Sequence, residues 1–237
     1  MRQAAIPMAL ALIAGAAQAA PASDPQALRL MQQCKAATGG SALDLPEAFR
    51  ETGAIDHGGR VDPYETFGDL HSLRYASQHS MDGKQLRAGF DGVTVWNVGL
   101  DGQVLIARDA PTLRGERLGT WMTLSGYLYP DRFPASYQYI GRRRLRGRPY
   151  DVVLATPADA DPVQLWLDPT THRVAHIDAA TKDGRIVGDI SDYRLVSGTW
   201  VGFAIDVLQA GQLTHLRIGS FSYIPLSQAQ LAPPAGA

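Results

Sequence analysis

The chain has 237 residues, 22 basic and 23 acidic, with a formal net charge of −1 and 45% hydrophobic residues. That balance excludes the basic field a nucleic-acid binder needs, and the hydrophobic content is enough for a packed core rather than a disordered chain. A single cysteine, Cys34, excludes an internal disulfide, so stability must come from packing.

Residues 1–19 carry Arg2, an apolar run from Ala4 to Ala17, and small residues Ala17 and Ala19 around Gln18. This is the pattern of a secretory signal peptide cleaved near Ala19. The run is shorter than the roughly 20 residues of a membrane-spanning helix, so it implies an exported chain with no membrane span. A lipid anchor would need a cysteine at the cleavage point, and Cys34 lies well past it. Cleavage removes Arg2 and leaves 21 basic against 23 acidic residues.

From Asp24 to Thr38 the spacing predicts a helix, with Asp24 as cap, Pro25 at the first position and Gly39-Gly40 as the stop. Leu30, Met31, Cys34 and Ala37 form its apolar side, which makes Cys34 a buried apolar residue rather than a reactive thiol.

Beyond Glu47 the pattern changes to short strand-like runs rich in β-branched and aromatic residues, such as LRAGF, VTVWNV and QVLIA. Asp82-Gly83, Asp91-Gly92 and Asp101-Gly102 punctuate them at intervals of nine and ten residues, and Asp183-Gly184 is a fourth such pair. A calcium loop needs several oxygen ligands within about a dozen residues, whereas these carboxylates are a whole strand apart. They read as type I′ hairpin turns, not as a metal site.

Residues Pro111 to Leu128 break the strand rhythm. Leu118, Trp121, Met122, Ser125 and Leu128 make a helical stripe weakened by Gly115, Gly119 and Gly126, either a mobile cover over a cavity or a plug on an open sheet face. After Pro134 strand runs resume and continue to Ile224; in WVGFAIDV, Val201, Phe203, Ile205 and Val207 form one apolar face. The whole predicts a mainly β (α+β) protein: about eleven antiparallel strands in a large meander, curved or closed as a barrel, with covering helices. Residues 24–226 read as one domain and 227–237, SQAQLAPPAGA, as a flexible tail.

Catalytic motifs are absent: there is no G-x-S-x-G, H-E-x-x-H, phosphate-binding loop or C-x-x-C. In WLDPTTHRVAHID, His172 and His176 share a strand face but lie about 13 Å apart at 3.3 Å per residue, too far for one zinc. Asp168 then belongs to a turn, and the histidines read as solvated; no metal or cofactor is implied. The run RRRLRGR, with Arg142, Arg144 and Arg146, reads as a hairpin arm and tip, either a solvated face or a rim for anionic headgroups or an acidic partner. Among large apolar residues, Trp96, Trp121, Met122, Leu128, Trp166 and Phe203 are the candidates to line a cavity, if the sheet encloses one.

Three stretches resemble periplasmic proteins of the LolA/LolB lipoprotein-carrier type, a group that includes domains associated with secreted proteases: ATGGSAL, AGFDGVTVW, and QLWLDPTTHRVAHIDAATKDGRIVGDISDYRLVSGTWVGFAIDV. The resemblance implies a half-open antiparallel barrel, wrapped by helices on its concave side, with an apolar cavity for acyl chains. It implies a non-catalytic soluble periplasmic carrier of a lipid or lipoprotein. A protein-interaction domain of the envelope with a filled core, and an enzyme with an unrecognised site, are the alternatives; an elongated apolar void, or a polar cavity with two convergent titratable groups, would separate them.

Overall fold

Strands that alternate in polarity and are joined by short turns satisfy their backbone groups only by pairing with the next strand, and the chain obeys this throughout. The computed structural model describes residues 22–81, 83–182 and 184–234. The signal-peptide reading and the side chains of Asp82 and Asp183 fall outside these.

Helix α1 (Pro25–Thr38) is capped as its sequence predicts, with Asp24 Oδ1 accepting from the Gln26 amide at 2.7 Å. A 3₁₀ turn, Gly40–Asp44, leads into the first meander: β1 (Ala48–His57), β2 (Arg60–Asp69), β3 (Arg74–Met81), β4 (Lys84–Phe90), β5 (Val95–Val98) and β6 (Val104–Ala107). Helix α2 (Ala110–Thr123) and a 3₁₀ turn, Gly126–Leu128, connect this to the second meander. Its strands are β7 (Ala135–Leu145), β8 (Arg148–Pro157), β9 (Val163–Leu167), β10 (Val174–Thr181), β11 (Gly184–Val196), β12 (Thr199–Gln209) and β13 (Gln212–Tyr223).

The two meanders join where β1 pairs antiparallel with β13, giving one 13-stranded sheet in the order β6-β5-β4-β3-β2-β1-β13-β12-β11-β10-β9-β8-β7. Strands β6 and β7 end the order without pairing to each other, so the sheet curls but stays open. A register shift at Thr52/Gly53 marks the seam; a Cβ on Gly53 would lie 2.2 Å from the Arg217 carbonyl oxygen, so only glycine fits. The strand count exceeds the expected eleven because the stretch Ala48–Met81 is polar on both sides of its alternation and its three strands carry a weak hydrophobic signal.

Helices α1 and α2 and the 3₁₀ turns pack on the inner face, burying Ala27, Met31, Cys34, Leu43, Leu118, Trp121 and Leu124 with Val153, Leu165 and Leu167. The stripe running through Pro111–Leu128 is interrupted at Ser125, which takes a left-handed conformation at φ 50°. Gly126 follows because a Cβ there would lie 2.4 Å from the Trp121 ring.

Two sequence expectations need correction here. Asp91 and Asp101 do not form type I′ turns: each accepts the amide two residues on, Asp91 from Val93 at 2.9 Å and Asp101 from Gln103 at 3.0 Å, and only the following glycine has positive φ. Among the described residues, paired positive-φ turns fall at Gly58-Gly59, Arg146-Gly147, Ser197-Gly198 and Ala210-Gly211. The tail, read as flexible from 227, contains a short helix, α3 (Gln228–Leu231), whose Leu231 is buried against Ala76 and Trp96.

Candidate ligand cavity

Beneath α2, the curled sheet leaves a cavity of about 480 Å³, within the range of roughly 300–1,000 Å³ of small-molecule sites. Its walls follow from strand alternation and register. On the β10–β13 side they are apolar: Val174, Ile177, Ile190, Val201, Ile205, Val207, Leu216, Ile218 and Phe221. Met122, Leu124, Tyr127, Leu128 and Tyr129 cover it from α2 and the connection that follows.

The β1–β4 side is different. Register places Glu51, Thr66, Ser77 and Ala88 in one row across four strands, and all four line the cavity. The adjoining row holds Gly53, Tyr64 and His79. Thr66 Oγ1 donates to Ser77 Oγ at 3.1 Å. Glu51 faces the void, and desolvation by the surrounding protein pushes its carboxyl up to about 7, with the neighbouring Tyr64 hydroxyl partly opposing the shift. The two lie beside one another without a well-formed hydrogen bond, for the Tyr64 hydroxyl is buried and unpartnered. Burial lowers the His79 imidazole, and the nearby His57 adds to that.

Tyrosines close the ends. Tyr75 lines the cavity wall beside Glu116 of α2, and burial raises both the Tyr75 phenol and the Glu116 carboxyl. Tyr223 donates to Thr199 Oγ1 at 2.7 Å, and Thr199 in turn donates to the Val196 carbonyl at 2.9 Å.

No family model matches the sequence, and no curated protein matches it. Solved structures do. A LolA superfamily protein from Nitrosomonas europaea superposes with a TM-score of 0.59 at 13% identity, covering 87% of this chain and 97% of the other. The chain has the LolA-type fold. A DUF1329 family protein from Desulfovibrio piger gives 0.58 at 14% identity, with 89% and 98% covered. A domain from Vibrio parahaemolyticus assigned to outer membrane lipoprotein-sorting proteins gives 0.53 at 11%, with 84% and 92% covered.

Within this LolA-type sheet the candidate residues separate. Met122 and Leu128 line the cavity. The other four do not. Trp96 packs over Gly89 with Ala76 and Leu231 on the outer face, opposite the inward-facing Ala88. Trp121 is buried edge-on to Tyr127 at 5.9 Å, and Trp166 lies on the face opposite Leu165 and Leu167, edge-on to Tyr150 and His176. Phe203 is buried against Tyr64 and Ile218 under the Arg194 guanidinium, 4.5 Å from its ring. Tryptophans are large enough to be buried on either face of a sheet, so residue type alone could not choose the face.

Arg142 pairs with Asp151 at 3.1 Å and Arg146 with Asp189 at 2.9 Å, while Arg144 donates to the Gly147 carbonyl; all three stand at the exposed tip and edge of the β7–β8 hairpin, away from the cavity lining. His176 is not solvated as expected but 4% exposed, with Nδ1 2.7 Å from Asp189. Asp168 does cap the DPTT turn, accepting from Thr170 and Thr171 at 2.9 Å each. Cys34 is buried, and desolvation pushes its thiol up to about 12. Residues the sequence reading missed include Phe49, Glu51, Tyr75 and His79. One signal was available: Phe49, Glu51, Gly53 and Ile55 share a strand face, and a lone carboxylate there is out of place among apolar neighbours.

Proposed function

We propose that this protein is a non-catalytic periplasmic carrier that holds a lipid or lipoprotein acyl chain in the cavity beneath α2. The observation that carries the reading is the void itself: about 480 Å³, bounded by one aliphatic wall of four strands and covered by Met122, Leu124 and Leu128. An acyl chain entering it gains about 0.8 kcal/mol per buried CH₂, enough for binding without a dedicated polar clamp. A filled-core interaction domain would have no use for such a space. Glu51 and His79 stand two strands apart, on the order of 10 Å at about 4.8 Å per strand, which does not make an acid–base pair.

Residues 1–19 act in this reading as the export signal, and the carrier works as the soluble chain released near Ala19. Arg142, Arg144 and Arg146, at the hairpin tip away from the cavity, form in this reading a basic rim that meets anionic headgroups of a membrane surface or an acidic envelope partner, not the head of the bound cargo. Native mass spectrometry of protein purified from its host should reveal a co-purified lipid, and delipidated protein should take up a fluorescent fatty acid. Protein that arrives empty and takes up nothing would sink the reading.

A further inference from the structure

The cavity wall is divided, and the division has a chemical meaning. Strands β10–β13 offer it only carbon apart from Tyr193, Trp200 and Tyr223, whereas β1–β3 offer Glu51, Thr66, Tyr75, Ser77 and His79. A site for a bare hydrocarbon has no reason to hold a carboxyl group in its wall, since an unpaired buried carboxylate is costly and an aliphatic residue would fill the position better. The neighbouring basic residues are committed elsewhere, Arg50 to Glu65 and Arg217 to Asp206. Behind this wall Tyr64, 6% exposed, sets an unpartnered hydroxyl near Glu51 rather than a basic group.

We infer that the Glu51–Thr66–Ser77–His79 wall is a head-group subsite, which selects single-chain amphiphiles whose head carries a hydrogen-bond donor, above all a cationic amine, over those ending in a carboxylate. The inference rests on the carrier reading, which supplies the chain-binding part of the cavity. The alkyl chain runs along the aliphatic wall while the head donates to Glu51. His79 flanks it. A carboxylate head would meet Glu51 as a like charge in a poorly solvated site, where repulsion is little screened.

The test uses three probes of equal chain length, dodecylamine, dodecanol and dodecanoate, titrated into delipidated protein at pH 8 by calorimetry below their micelle concentrations. The amine should bind about tenfold or more tighter than dodecanoate, a difference that Coulomb attraction and repulsion at one charged wall readily supply, with dodecanol between. In Glu51→Gln the amine preference should collapse to within about threefold while dodecanol binding persists, and retained dodecanol binding shows that the variant is folded. Equal affinities for the three probes in the wild type, or an amine preference unchanged in Glu51→Gln, overturn the head-group subsite and leave the carrier reading standing. Failure of all three to bind overturns both.

Discussion

Glu51 occupies a position where an aliphatic side chain would serve the sheet better, and its titration makes that measurable. Its carboxyl is raised from 4.5 to about 7 by desolvation, so between those pH values the folded chain holds a proton that the unfolded chain has released. Stability therefore falls as pH rises through this window, and the penalty is fully present above about 7. Glu51→Gln removes it. The variant should match the wild type near pH 4 and exceed it at pH 8 by an amount on the order of 3 kcal/mol, seen as a higher urea midpoint. Equal midpoints at pH 8 would show that the carboxylate is solvated. At this scale the sequence was partly readable: Met122 and Leu128 lie on the cavity lining because a helical stripe faces one way, while Trp96 and Trp166 lie on the other face of the sheet because both faces are covered in places.

Between elements, Glu116 of α2 and Tyr75 of β3 meet beside the cavity. Glu116 is half-buried on α2 beside Tyr75, and desolvation raises its carboxyl, a polar contact beside the void. Tyr75→Phe keeps the ring and removes the hydroxyl beside Glu116, leaving that half-buried carboxyl in a less polar setting. Stability should fall by about 1–3 kcal/mol, and a fluorescent fatty acid should enter faster in stopped-flow mixing, because α2 is held less firmly. An unchanged entry rate would mean that α2 does not gate the cavity. The helix itself was legible from its stripe, while its cap at Asp109 emerged only from the structure. Its neighbourhood with Tyr75 was not, since nothing in the sequence brings residue 116 to residue 75.

For the whole molecule, ligand binding and folding are linked. A fatty acid at one hundred times its Kd should stabilise the wild type by about 2.7 kcal/mol, measured as a rise in Tm, whatever its exact position in the cavity. Ile205→Trp places a large side chain on the aliphatic wall and should abolish that rise while the chain still melts cooperatively. A rise of full size in this variant would locate the ligand elsewhere.

What the sequence by itself determined is the local content of the protein. Turn residues cut the chain into strands, alternation gave each strand two faces, and the cap Asp24 fixed where the first helix begins. These follow from interactions within a few residues, which any single sequence displays. Tertiary structure alone decided the seam between β1 and β13, the polar wall of Glu51, Thr66, Ser77 and His79, and the void they border. The strands at the seam start about 160 residues apart in sequence, and a cavity is defined by what long-range packing leaves unfilled. No local pattern records that.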